Sequence, residues 1–492
     1  MRRTTIFYVL VLLIVGGGIL GVLKLGTDLP LPVMTESAAG AMKATGGHAA
    51  HAAPAETGAV GAMLASLKTN FDHPLSHLFV QLLVIISASR LVGGIFSKFG
   101  QPSVIGEMTA GILLGPSLFG WVSPEMFQFV FPPTSLGTLK LLSQIGVCLF
   151  MFTVGMELDV KQVRNKAHTA VVVSHASIVA PYFLGVVLAY FLFSSLAQPG
   201  TNFTAFALFM GISMSITAFP VLARILQERN MSKTYLGTTA VTCAAVDDVT
   251  AWSALAFVVA IANSTSIAGS ALNLVLVLGF VAAMIWGVRL LLPKVLGSSE
   301  IEQAAPSRRT LAIIICVVLA AALCTEAVGI HALFGSFLAG AIMPDKSGFR
   351  HKLSVRVENF SSVLLLPLFF AFTGLRTQIG LLNDFGGWIL CGVIIAVATI
   401  GKLGGTAVTA RFTGMNWRDS LQLGALMNTR GLMELIALNI GYELGILSPR
   451  IFAMLVIMAL VTTAMTGPLL TAFGRIRVRE DEPADGGSVR PV

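Results

Sequence analysis

From residue 76 to residue 473 the chain is a near-continuous series of apolar stretches separated by short connections. About 20 apolar residues in a helix match the hydrocarbon thickness of a bilayer. Inside lipid every backbone N–H and C=O must be satisfied within the chain, so only helices and closed barrels can span it. Barrel strands appear as short alternating segments, and these stretches are long and continuous instead. They predict spans near 76–96, 103–120, 136–157, 167–193, 203–226, 236–262, 270–292, 310–328, 330–344, 360–375, 386–410, 419–440 and 450–473. The 103–120 and 330–344 segments are short and glycine-rich, the mark of tilted or broken helices. The fold class is therefore an all-α polytopic membrane protein, with about thirteen core helices plus one near the N-terminus.

Composition agrees. With 55% hydrophobic and 11% charged residues, the chain has too little charge to cover a soluble surface of its size. A net charge of +8 raises nucleic acid as a partner, but the basic residues sit mostly in connections between spans, where they set topology. Alternate connections hold Lys161, Arg164 and Lys166; Arg224, Arg229 and Lys233; Lys294, Arg308 and Arg309; Lys346, Arg350, Lys352 and Arg356; Arg411 and Arg418; Arg475, Arg477 and Arg479. The intervening ones are nearly bare, with Arg376 and Arg450 as exceptions. This alternation predicts an even number of spans with both ends in the cytoplasm. Cys148, Cys243, Cys316, Cys324 and Cys391 all lie within spans and form no CxxC, so ordinary packing is expected of them.

The first 26 residues, MRRTTIFYVLVLLIVGGGILGVLKLG, fit either a signal peptide or a membrane anchor. The apolar part is long for a signal peptide and the first small-residue cleavage site lies well beyond it, which favours an uncleaved anchor. Residues 27–75, rich in Ala, Gly, Thr and His, are expected to be a flexible linker. His48 and His51 within it lack the further ligands a metal site needs. Residues 76–473 are expected to form the membrane domain and 474–492 a short cytoplasmic tail, with no soluble regulatory domain expected.

Within the spans stand Arg90, Glu107, Asp247, Asp248, Glu326, Lys402, Arg430 and Glu434. A charge at the bilayer centre costs at least ~2.5–3.5 kcal/mol, so such groups normally face the bundle interior, pair, and mark ion or proton pathways. Asp247 and Asp248, in TCAAVDDVTAW, fall about midway along their predicted helix. Neighbouring helical residues point about 100° apart, so the two carboxylates can face different partners. In a poorly solvated site they cannot ionise independently, and one facing an aqueous cavity can exchange a proton for a monovalent cation. A pair satisfied wholly by hydrogen bonds and salt bridges is the plainer alternative, disfavoured by the midplane position of both. Lys402, in ATIGKLGGTA, is the natural cationic partner: snorkelling to the headgroups near Arg411, about 13 Å along the helix, would be strained.

Two further spans are irregular. In GISMSITAFPVLARIL, Pro220 removes a backbone donor while Ser213, Ser215 and Thr217 offer hydroxyls. In ALMNTRGLMELIALNIG, Asn428, Thr429, Arg430 and Gly431 interrupt an apolar helix. Broken helices in corresponding positions of two halves point to a transporter binding site, and these are the fifth and twelfth core spans. Arg430 and Glu434, four residues apart, suit a same-face structural ion pair.

The motifs QPSVIGEMTAGILLGPS, GVCLFMFTVGMELD, SITAFPVLARIL, CAAVDDVTAW, IHALFGSFLAGAIMP, LPLFFAFTGLRT and MNTRGLMELIALNIG occur in that order. Together they resemble the monovalent cation/proton antiporter superfamily over about residues 76–473, in the branch of plant cation/proton exchangers and bacterial K⁺/H⁺ and Na⁺/H⁺ antiporters. The resemblance implies an inverted-repeat fold of thirteen helices and a homodimer in the bacterial inner membrane. It also implies a core domain where two unwound helices cross. By position it makes Thr217 and neighbours such as Ser215 the first unwound segment, Asp247 and Asp248 the paired ion-site carboxylates of the electrogenic type, and Lys402 the partner of the first. Electroneutral relatives typically have Asn where Asp247 stands. Glutathione-gated potassium efflux systems typically have Gln-Asp there, and a cytoplasmic nucleotide-binding domain that is not expected here. The expected function is exchange of K⁺ or Na⁺ for protons, with no cofactor. A cation channel, or K⁺ efflux without proton coupling, is the first rival, though a TVGYG filter is missing. An intramembrane aspartyl protease needs its aspartates on separate helices, and a primary pump needs a P-loop that is not found.

Overall fold

The computed structural model describes residues 2–27, 29, 73–157, 167–231, 234–262, 267–297, 302, 306–329, 331–345 and 348–474. Most of the expected linker and all of the tail after 474 lie outside these, as do His48 and His51. The chain enters as α1 (Arg2–Gly26), then α2 (Pro74–Lys98), α3 (Ser103–Leu114), α4 (Leu136–Glu157) and α5 (Ala167–Leu196). Next come α6 (Phe203–Ser215), α7 (Phe219–Glu228), α8 (Tyr235–Ala262) and α9 (Ile267–Ala282), the last continued through a π-helical turn to Leu296. The remainder is α10 (Arg308–Val328), α11 (Ala332–Ala341), α12 (Phe349–Phe360), α13 (Leu366–Arg376), α14 (Phe385–Thr399), α15 (Gly405–Phe412), α16 (Trp417–Met427), α17 (Leu432–Glu443) and α18 (Pro449–Gly474).

Among the described residues twelve stretches are long and apolar enough to cross a membrane, α1 being one. The thirteen-span core is completed by the ten-residue α11 and by α16 with α17, two halves of one interrupted crossing. Outward faces carry large apolar side chains such as Leu83, Leu91, Phe191, Trp286 and Leu323. A contiguous apolar surface of that extent belongs against lipid, not water.

The helices pack as two sets. In one, α5 lies against α6, α8 and α15, while α16 packs on α15 and α18 and α17 on α18. In the other, α2 packs on α3, α3 on α13, α4 on α11 and α13, and α10 on α11. Helix α1 joins the first set, against α5 and α6. Each half of that set has an unbroken span, a broken span and a further span: α5, α6–α7, α8, and α14–α15, α16–α17, α18. Arg224 and Arg229 follow or end α7, whereas Arg411 and Arg418 precede or open α16, so the two broken spans cross in opposite senses. That opposition is the inverted repeat.

Of the expected spans, 103–120 is helical from Ser103 only to Leu114 before short further turns, and one other departs more widely. The stretch 360–375 begins eleven residues earlier, at Phe349, because the charged segment before it is helical. Its arginines brace neighbouring helix ends: Arg350 donates to the carbonyls of Met343 (2.7 Å) and Ala341 (2.6 Å), and Arg356 to that of Pro306 (2.9 Å). Carbonyls past the end of α11 have no helical donor of their own, so charged side chains supply one.

Candidate functional site

Two helices break at the same place. α6 stops at Ser215 and Ile216 and Ala218 turn extended; α7 then starts with Pro220 in its first turn, where a missing N–H costs nothing. α16 stops at Met427, and Gly431, with φ 133°, opens α17. An L side chain rarely adopts that backbone, and a Cβ there would meet Val221 Cγ2 at 3.3 Å. The extended segments cross, Ala218 N donating to Thr429 O at 2.9 Å.

The last carbonyls of α6 face this break with no helix ahead to satisfy them, and they carry the negative end of its dipole. Two buried cations fill that role. Arg430 donates to Ser213 O (2.6 Å) and Met214 O, and lies 3.3 Å from Glu434 Oε2. Lys402 Nζ donates to Ser215 O. Arg430 stands before α17 rather than on it, so its pairing with Glu434 spans the interruption instead of running along one helix face. Lys402 sits on a π-helical turn, Ile400–Gly404, brought close to α5 because a Cβ at Gly401 would stand 2.9 Å from Pro181 Cα.

Asp247 is the meeting point of these elements. Its Oδ2 lies 2.8 Å from Lys402 Nζ and accepts a hydrogen bond from Thr217 Oγ1, which is itself 3.0 Å from Met427 O. Its Oδ1 accepts from Ser177 (3.0 Å) and Ser174 (3.4 Å), both on α5. Asp247, Lys402, Thr217, Arg430 and Glu434 are 0% exposed and Asp248 is 1% exposed. A carboxylate this deep is tolerable only with a counter-charge and full hydrogen bonding, and Asp247 has both.

An open cavity approaches one side of the crossing. A cavity of about 550 Å³ is lined by Arg90, Glu107, Pro220, Val221, Arg224 and Leu432, among others. Its mouth is on the arginine-rich side, where the Arg90 and Arg224 side chains are half exposed. Its inner wall, Pro220, Val221 and Leu432, adjoins the extended segments. Glu107, nearly buried, lies 3.5 Å from Arg90. On the opposite side, between α4, α13 and α17, the space shrinks to about 30 Å³, room for about one water.

A family model for the transmembrane sodium/hydrogen exchanger matches residues 58–475. The chain belongs to the sodium/hydrogen exchanger family. It is 44% identical over 394 residues to the Na(+)/H(+) antiporter NhaS4 of Synechocystis, covering 80% of this chain and 96% of that relative. It is 39% identical to cation/H(+) antiporter 17 of Arabidopsis thaliana and 32% to K(+)/H(+) antiporter 1 of Saccharomyces cerevisiae. The chain spans about half the length of those two, 49% and 46%. The sodium proton antiporter MjNhaP1 of Methanocaldococcus jannaschii shares the fold, with TM-score 0.58 at 14% identity over 82% of this chain and 98% of that one.

In this exchanger-family chain Thr217 and Lys402 each contact Asp247. Ser215 takes part through its backbone carbonyl, because its hydroxyl turns back to Ile212 O at 2.9 Å. Ser174 and Ser177 were not anticipated; their signal is two hydroxyls three residues apart on one face of an otherwise apolar span. Glu326 is exposed at the end of α10 and accepts from Ala332 N at 2.8 Å, which makes it a cap for α11 rather than a member of the cluster.

Proposed function

We propose that this protein is a secondary-active antiporter that exchanges a cytoplasmic monovalent cation, K⁺ or Na⁺, for external protons, and that the exchange is electrogenic. The observation that carries the reading is the Asp247–Lys402 pair at 2.8 Å, held at the crossing of two broken helices beside a second buried carboxylate. Asp248 binds cation and proton in turn. Asp247 alternates between a proton and Lys402, with Thr217 and Ser215 completing the site and Arg430–Glu434 holding the crossing together. The relatives named above are all called antiporters, which supports exchange over a channel. The cavity on the cytoplasmic side supports access from within, and movement of the site-bearing helices against the others exposes the site to the far side.

The protein is a multi-pass membrane protein, and we assign it to the bacterial inner membrane as a homodimer. Residues 1–26 serve as anchor, 27–75 as linker, 76–473 as the antiporter domain and 474–492 as a cytoplasmic tail. In proteoliposomes, imposed K⁺ or Na⁺ gradients are expected to drive proton movement whose rate responds to membrane potential, at ~2.3 kcal/mol per charge per 100 mV. Asp248→Asn is expected to abolish it while leaving melting temperature near that of the parent. Salt-driven proton movement surviving in Asp248→Asn overturns the assignment.

A further inference from the structure

The narrow side of the molecule is closed by a polar network that the exchange site does not use. Glu443, the last residue of α17, accepts from three side chains of the other helix set. Lys140 Nζ on α4 lies 3.2 Å from its Oε1, Arg376 Nη2 on α13 lies 3.0 Å from the same oxygen, and Gln144 Nε2 on α4 lies 3.4 Å from Oε2. One turn earlier on α17, Asn439 accepts from Arg376 Nη1 at 2.9 Å and donates to Thr373 Oγ1 at 2.8 Å. The Arg376 guanidinium lies over the Phe372 ring at 4.2 Å and faces the Tyr442 ring at 5.2 Å. Its side chain is 15% exposed and that of Glu443 21%, so these charges are only partly screened.

Every one of these bonds joins α17, which carries half of the crossing, to α4 or α13, which carry none of it. At the other end of the same helices the contact opens: Leu432 of α17 and Leu366 of α13 line the 550 Å³ cavity. The two helix sets are thus fastened outside and parted inside.

We propose that Glu443 and Asn439, with Arg376, Lys140 and Gln144, form an external latch that holds the transporter inward-facing. They are positioning residues for the exchange: opening to the outside requires these bonds to break, so their strength sets how often each face is presented. A population shift needs a difference in free energy between states, and bonds made in one state alone provide it. The latch rests on the exchange reading for its purpose but not for its test, which measures access and not transport.

The test places single reporter cysteines on each side, with Cys148, Cys243, Cys316, Cys324 and Cys391 changed to alanine. Ser143→Cys puts a near-isosteric thiol at a buried position of the narrow side, 1% exposed, and Ala223→Cys puts one on the wide cavity wall. Oriented vesicles are treated with a membrane-impermeant maleimide from either face. In Glu443→Gln and Arg376→Ala backgrounds, outside labelling at 143 is expected to rise about tenfold, equivalent to ~1.4 kcal/mol, while inside labelling at 223 falls. Arg376→Lys, which keeps the charge but loses the two-nitrogen fork to Glu443 and Asn439, is expected to label between the parent and Arg376→Ala at both positions. A loosened or misfolded protein would instead react faster at both. Unchanged labelling at 143 or a rise at both positions overturns the latch. Reciprocal labelling without any cation-driven proton movement would instead strike the exchange reading and leave the latch standing.

Discussion

Lys402→Met removes the ammonium but keeps the length of the side chain, so its effect is electrostatic and not a cavity. Asp247 would keep its hydroxyl donors, Ser174, Ser177 and Thr217, but lose the ammonium 2.8 Å away, and Ser215 O would lose its donor. Truncating one partner of a buried ion pair costs ~3–5 kcal/mol, because the other charge stays behind uncompensated. Over roughly 400 residues melting together at ~2.1 cal/mol/K each, that is a drop of about 4–6 °C. Asp247→Asn alone strands Lys402 and is expected to fall by a similar amount. The double variant removes both charges, and replacing a whole buried pair is often close to neutral, so it should melt above either single by roughly 2–4 °C. Fluorescence-detected melting in one detergent reads all four proteins. A double variant that melts at or below the weaker single would refute the idea that the pair is mutually compensated. All three variants are expected to lose cation-driven proton movement, since stability can be restored without restoring the proton-binding group.

Thr217→Val keeps shape and deletes the hydroxyl shared between Asp247 Oδ2 and Met427 O, leaving buried acceptors short of a donor at ~1–3 kcal/mol. Exchange in vesicles should fall at least about tenfold, the rate equivalent of ~1.4 kcal/mol, and a parental rate would show the hydroxyl to be idle. Gly431→Ala forces an L side chain to φ 133° against Val221, a strain of ~1–3 kcal/mol; a melting temperature equal to the parent's would mean the break can relax.

Hydropathy made the spans legible because lipid imposes one length and one composition on every crossing helix. It failed at 349–360, where Arg350, Lys352 and Arg356 looked like a connection. Helix and loop are equally polar at a headgroup surface, and only the bonds to Ala341 and Pro306 reveal the helix. Asp247 with Lys402 was legible because a mid-span charge demands an opposite one. The part played by Ser215 was not, since a backbone carbonyl freed by a broken helix leaves no mark on residue identity. Ser174 and Ser177 were hidden for a related reason: hydroxyls are common in membrane helices and usually bond to their own backbone. The narrow-side network was invisible because Lys140, Arg376 and Glu443 lie at span ends, where charge is ordinary.

The charged groups no more than 1% exposed around the two broken helices are three acids, Asp247, Asp248 and Glu434, against two bases, Lys402 and Arg430. With all five ionised, the cluster is one positive charge short of neutrality, in surroundings where imbalance is expensive. One K⁺, one Na⁺ or one proton cancels that deficit equally well, so on the exchange reading each is a substitute for the others. A second proton, taken by Asp247, carries the cluster past neutrality to an excess of one. On the electrogenic reading proposed above, the proton-loaded transporter crosses charged and the cation-loaded one neutral, and sensitivity to voltage would follow from the parity of five side chains.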